Sequence, residues 1–458
     1  MWRATIWHST TWQNKNHRML KKYFIHYPTL LRLGIPIMIG QLGTIIMGFM
    51  DTLMIGRHST EELAAAGFVN GIIGLAAISA LGFSYGLTPV VGALLGKGET
   101  GHIAQKLKNG LVANNILAVG MMAALGILYL NLHRLGLPDH LLPLMRPYLI
   151  LNILSFIPMM AFNAFKQFSD GIQDTRMPMW ILLGSNVLNV VGNWLLIYGV
   201  AGLPEMGLTG AGLATLLSRI AMWAAFAAVF HLTSRYKTYS QDFWKASVNR
   251  SDLKQMFRLG FPIMMQMGME TASFSLSAFY VGWLGTTNLA AHQIMLTIAQ
   301  LCYMLYYGMS AAVAVQVSYY RGAGRLPETR HVAFAGLHLN LLLGLLTAVP
   351  IFLLRDQIGG WFANSAEVSA LVAAVVIPLC IYQFGDALQC TYCNALRGME
   401  DVKPLVWIAF IAYFIVSLPL GYLFGFTLNG GLWGIWMAFP FGLTTAGILY
   451  LIKFLRRK

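Results

Sequence analysis

Apolar runs of about 20 residues recur along this chain from end to end, and that pattern decides most of what it can fold into. They fall near residues 30–56, 63–95, 109–130, 142–165, 179–203, 207–233, 256–284, 288–319, 332–354, 368–396, 404–427 and 431–454. A run of that length crosses hydrocarbon as a helix with its backbone hydrogen bonds satisfied internally, which an open sheet cannot do. Of the 458 residues, 57% are hydrophobic and only 10% charged, against about 25% charged in soluble domains. The fold class expected is an all-α polytopic membrane protein of twelve transmembrane helices.

The formal charge of +14 does not point to nucleic acid, because the basic residues stand at the ends of apolar runs. With the N-terminus assigned to the cytoplasm, 26 of the 31 Lys and Arg fall on the cytoplasmic side. Arg57, Arg134, Arg146 and Arg355 fall opposite, and Arg219 lies within the sixth span. The positive-inside rule therefore predicts both termini in the cytoplasm. Residues 1–28 are basic and polar, without the apolar core of about 7–15 residues that a cleavable signal needs. They read as a cytoplasmic extension, with Met19 as an alternative start. Cys302, Cys380, Cys390 and Cys393 all lie in apolar segments. The C-x-x-C pair has no second ligand pair, so these read as small buried residues rather than a metal or redox site.

The chain also repeats itself. RLGIPIM at 32–38 matches RLGFPIM at 258–264, an offset of 226. Without a gap, the same offset pairs Gly56 with Gly282, LAA at 63–65 with LAA at 289–291, and Gly96 and Gly98 with Gly322 and Gly324. Positions 32–98 carry 18 identities with 258–324. Six spans per repeat give both halves the same orientation, the arrangement of parallel repeats about an axis along the membrane normal. The organisation expected is two six-helix bundles, 29–233 and 256–458, joined by a basic cytoplasmic linker, 234–255. Two such bundles facing a central cavity suit alternating access.

Three acids lie well inside spans: Asp51, Glu270 and Asp386. A carboxylate at the centre of a membrane helix costs roughly 2.5–3.5 kcal/mol on insertion scales, so it must face protein or water. Only Arg219 is a candidate partner within an apolar core, one cation for three acids. Protonation or a bound cation remains for the others. The offset pairs Asp51 with Ser277 and Glu270 with Thr44, so the halves share a fold but not their charges. In SNVLNVVGNWLLIYG, Asn189 and Asn193 stand four apart on one helix face, with Asn186 close to it. Tyr382 stands four before Asp386. Amides, carboxylates and hydroxyls are oxygen donors of the sort alkali cations accept. Simple helix–helix hydrogen bonding is the plainer alternative for the asparagines.

GFMDT in the first span, Glu270 in the seventh, YQFGD in the tenth and N-x-x-x-N in the fifth resemble the multidrug and toxic compound extrusion (MATE) transporters, most of all the NorM-type branch. LAAHQ and the R-G-x-G that closes the eighth span fit as well, and the resemblance covers residues 29–455. It implies that Asp51, and Glu270 with Asp386, are cation-coupling carboxylates, and that Na⁺ or H⁺ is exchanged for organic, mostly cationic compounds. It also implies no enzyme activity and no cofactor. Na⁺ could be held by Glu270, Asp386 and Tyr382, or by Asp51, Asn189 and Asn193. Asn193 stands where some relatives carry an acid, which bears on whether protons alone drive the first half.

The expectation is a monomeric secondary antiporter of a bacterial inner membrane, with small organic cations as substrates and lipid as its surroundings. Met and aromatic side chains suit such ligands through adaptable packing and cation–π contact. The rival is a lipid-linked saccharide flippase of similar two-bundle design, which should line its cavity with Arg or Lys for a pyrophosphate. A membrane enzyme built on Glu270 and Asp386, or on His292 as a base, lacks any nucleophile–base arrangement. The absence of a P-loop argues against direct ATP drive.

Overall fold

The computed structural model describes residues 22–135 and 138–457. The tail over residues 1–21, and with it Met19, lies outside them. Twelve long helices follow in chain order: α1 (Tyr27–His58), α2 (Thr60–Lys97), α3 (Thr100–Leu130), α4 (Asp139–Gly171), α5 (Arg176–Ile197), α6 (Gly207–Leu232), α7 (Arg250–Trp283), α8 (Thr286–Gly322), α9 (Leu326–Leu353), α10 (Ala366–Gly398), α11 (Lys403–Thr427) and α12 (Gly431–Leu455). Eleven are long and apolar enough to cross a membrane. The exception is α7, whose 34 residues are ample in length. Its shortfall is in apolarity, because Gln266, Glu270 and a series of Ser and Thr interrupt the run.

Local chemistry sets the ends. Ser59 accepts a hydrogen bond from the Glu62 amide to open α2, and Asn249 does the same from Asp252 to open α7, the usual way a helix start satisfies its free N–H groups. Gly98 at φ 78° closes α2 in a left-handed turn. Several expected boundaries move by a few residues, two of them with consequences. The linker read as 234–255 holds a short helix, Lys237–Lys245, and α7 already begins at Arg250. The tenth span runs on past 396, so Arg397 belongs to the helix rather than to a loop.

In the first half α5 packs against α6 and α1, and α3 against α4; in the second, α10 packs against α12, α8 and α9. The two six-helix bundles meet where α1 lies on α8 and α2 on α7 and α8. This seam carries the repeat in its geometry. A methyl group placed on Gly96 would stand 2.0 Å from the Tyr319 carbonyl oxygen, and one on Gly322 would stand 2.0 Å from that of Ala93. Positions 96 and 322, like 93 and 319, are 226 apart. The same reciprocity links Gly34 at Met309 with Gly260 at Phe83, and Gly82 at Met264 with Gly308 at Met38. Residue i of one half meets j of the other while their repeat mates meet in turn, the signature of a two-fold relation. All six glycines lie toward one end of their helices. Further along α2, Gly67, Gly71 and Gly74 have nothing near them. The bundles are therefore pressed together at one end, with glycine bringing backbone against backbone.

Candidate cation-coupling sites

In the first half, α1, α5 and α6 bring Asp51, Asn189, Asn193 and Thr215 together. Asn193 donates its side-chain amide to an Asp51 carboxylate oxygen and lies 3.3 Å from the Asn189 amide oxygen. Asn189 donates in turn to the Thr215 hydroxyl at 3.3 Å. Both asparagines are fully buried, whereas Asp51 is part-exposed. The amide oxygen of Asn193 is buried with no partner, and so is the Asn186 amide nitrogen. Tyr198 pins α5 to α1 through the Met54 carbonyl at 2.9 Å. The four-residue spacing of the asparagines thus does what it predicted, setting two amides in contact along one face, and Asn193 is the one that reaches Asp51. Arg219, the one cation expected to serve the acids, instead donates to the Ser155 hydroxyl at 2.6 Å. Among the described residues, no ion pair involves Asp51, Glu270 or Asp386.

In the second half, Glu270 on α7 accepts from Gln266 at 2.8 Å and from Gln389 of α10 at 3.2 Å. Gln389 also donates to the Tyr413 hydroxyl at 2.9 Å, which α11 presents from a π-helical stretch, Phe410–Ser417. Asp386 stands three residues before Gln389 on the same helix and is 1% exposed. One of its oxygens receives only the Cys390 thiol at 3.4 Å; the other is buried and unpartnered. Glu270 and Asp386 are thus linked indirectly within one polar cluster, from Glu270 to Gln389, from Gln389 to the Cys390 thiol and from that thiol to Asp386. Tyr382 is buried in the same half, its ring set edge-on to Phe274, and makes no hydrogen bond to either acid.

The structure corrects the expectation that only Arg219 lies among apolar helices. Arg397 is 5% exposed and donates to Gln266 at 2.7 Å and to Asn394 at 3.3 Å, while Gln266 in turn donates to Glu270. Drawing the span's end at the last apolar residue left this arginine outside, whereas its side chain lies buried against α7. Lys166, paired with the buried Asp170 at 2.8 Å, was left outside its span for the same reason. Gln266 carried a legible signal, standing four before Glu270; Gln389 and Tyr413 carried none. Cys390 and Cys393 are free and buried and lie nearer the acids than their reading as packing implied, against Asp386 and Gln266. His292, weighed as a base, accepts from the Trp436 indole at 3.1 Å and is wholly enclosed.

The oxygen donors suit a small hard cation. Asp51 with the free Asn193 oxygen makes one such set, and Asp386 with its free carboxylate oxygen supplies the start of another. Each set accommodates a proton equally well.

The chain matches the MatE family over residues 36–195 and 262–423. It is 28% identical over 439 residues to the probable multidrug resistance protein NorM of Mannheimia succiniciproducens, across 94% of this chain and 93% of that one. Its fold is that of the eukaryotic MATE transporter AtDTX14, with a TM-score of 0.86 at 15% identity over 95% of this chain and 97% of the other. A variant of the Vibrio cholerae MATE transporter VcmN superposes with a TM-score of 0.87 at 17% identity, over 95% and 98%.

Proposed function

From the premise that this chain belongs to the MatE family, whose members are membrane transporters and not enzymes, we propose that it is a secondary antiporter. It exports amphipathic, mostly cationic compounds in exchange for Na⁺ or H⁺. The observation that carries the reading is Asp386, buried with one oxygen unpartnered and, among the described residues, in no ion pair with a basic side chain. A bare carboxylate there is expensive. It is stable only protonated or holding an ion, and those are the two states a coupling site must alternate between. Asp51 offers the same choice on a different scaffold, with Asn189 and Asn193 able to donate N–H to the carboxylate or turn carbonyl oxygen to a cation.

In this reading residues 29–233 and 256–458 move as two bodies about the seam, with 234–255 as a cytoplasmic linker and both termini inside a bacterial inner membrane. The seam then closes the cytoplasmic end, and the opposite end lies open to the outside. Glu270, Asp386 and the nearby Tyr382 form the second-half site, and Asp51, Asn189 and Asn193 the first. Cation entry from outside biases one arrangement of the bundles and its loss inside biases the other, so drug and ion move in opposite directions without further machinery. The protein functions as a monomer in lipid and needs no cofactor.

Dye efflux from proteoliposomes under separately imposed Na⁺ and H⁺ gradients tests this. One of the two gradients should drive export of a cationic dye, and Asp386→Asn should abolish it in a protein that still folds. Export that proceeds without either gradient, or at the wild-type rate in that variant, would refute the proposal.

A further inference from the structure

Far from the acids, three metal-ligating side chains converge where the segment before α1 meets the start of α9. Glu328 and His331 stand three residues apart on α9 and so project from one face of it. His26, the residue before α1, reaches them from the other half of the chain. Its Nε2 lies 3.0 Å from Glu328 Oε2, and His331 Nδ1 lies 3.4 Å from the same oxygen. All three ligand atoms fall within 4.8 Å of one another. Zinc binds nitrogen and carboxylate oxygen at about 2.0–2.1 Å in a tetrahedron, whose ligand-to-ligand edge is then about 3.3–3.4 Å. The two separations from Glu328 Oε2 lie close to that edge and the third, between the histidine nitrogens, is under 4.8 Å, so small side-chain rotations suffice to close the donors on an ion.

The surroundings hold the donors in place. His26 is 4% exposed and packs edge-on to Tyr320, while His331 packs edge-on to Tyr23. Arg325 is the opposing charge. Its guanidinium lies 3.5 Å from Glu328 Oε1, the oxygen that faces away from the histidines, and its side chain is 60% exposed, where solvent and salt screen it. Arg330, on the same face of the molecule, donates to the Leu455 and Arg457 carbonyls, so the cluster sits beside the C-terminal end of the chain.

The geometry points to a two-histidine, one-glutamate site for a tetrahedral divalent transition ion, Zn²⁺ above all, that ties the start of α1 to α9. Water completes the tetrahedron. Because α1 belongs to one bundle and α9 to the other, an occupied site fastens the bundles together at the seam end and slows any cycle that must part them there. The fastening rests on the antiport reading; the binding does not.

The full chain, purified in detergent through a tag free of histidine and dialysed against Zn²⁺, should retain one equivalent by mass spectrometry of the metal. His331→Ala and Glu328→Gln should each lower the affinity at least tenfold while remaining monodisperse. Co²⁺ in place of Zn²⁺ should give the visible bands of tetrahedral cobalt in the wild type only. No retained zinc in the wild type, or equal retention by both variants, overturns the site. In proteoliposomes, Zn²⁺ on the side of the chain termini should slow dye efflux by the wild type and not by His331→Ala. Zinc bound with efflux unchanged overturns the fastening. Failure of efflux in zinc-free wild type is a separate result that counts against the antiport reading.

Discussion

Replacing Gly322 by alanine sets a methyl group 2.0 Å from the Ala93 carbonyl oxygen and 2.7 Å from its carbon. Carbon and oxygen tolerate about 3.3–3.6 Å at closest, so the seam must widen there by about 1.3–1.6 Å. The neighbour is backbone near the C-terminal end of α2 and has no rotamer by which to yield. Overpacking of this kind costs about 1–3 kcal/mol. In a state where the bundles part at this end the methyl meets nothing, so the whole cost falls on the closed state and shifts the equilibrium about 5–150-fold away from it. Thr100 and Leu326, repeat mates exposed on either side of the seam, can carry spin labels in a protein freed of its four cysteines. Distances between them should be single and short in the parent, with a second, longer population in Gly322→Ala. Gly74→Ala, at a position with nothing nearby, should reproduce the parent. A Gly322→Ala protein with the parent's distances would refute the argument. So would one that merely unfolds at lower temperature while keeping those distances, since the cost would then sit within a bundle and not between the two.

Asp51→Asn keeps the shape of the carboxylate but not its charge; it should leave a folded protein that no longer couples export to an ion gradient, and gradient-driven efflux at the parent rate would remove Asp51 from the mechanism. Arg397→Met should lower the midpoint of thermal unfolding, because Gln266 loses its guanidinium partner at a cost of about 1–3 kcal/mol; an unchanged midpoint would mean the arginine contributes nothing net. A cysteine at Ser247, between the short linker helix and α7, should react with an impermeant thiol reagent only after cells are opened. Labelling from outside would reverse the topology.

The membrane architecture was legible because hydrocarbon imposes one rule on every span: about 20 residues must be apolar, and those runs can be counted. The repeat was legible because glycine and proline in register are not interchangeable with other small or apolar residues, and the seam shows why for Gly96 and Gly322. Asn189 and Asn193 could be placed on one face because helix periodicity fixes which side chains share it, and the family resemblance set them beside Asp51. Arg397 could not be placed in the same way. A long side chain at the end of an apolar run can lie outward to the interface or inward among helices, and run length does not distinguish them. The neutral donors Gln389 and Tyr413 were hidden for another reason: they meet Glu270 across helices far apart in sequence, where no local period reaches. Nor does the sequence tell that Glu270 and Asp386 are linked through Gln389 and the Cys390 thiol and not directly, which depends on how far α7 and α10 stand apart.

The reciprocal glycine contacts have an ancestral consequence. A seam in which each contact occurs twice, once from either repeat, is the surface that a single six-helix protein would present to an identical copy of itself. An even number of spans leaves both ends of such a protein on one side of the bilayer, so two copies of its gene could be fused through a short connection with no extra crossing. Once fused, the copies could diverge where they do not touch. Asp51 stands in one half and Glu270 and Asp386 in the other, while the touching glycines are alike in both, where a change in either repeat strikes the same seam. The molecule is thus symmetric where its halves grip one another and asymmetric where they handle charge.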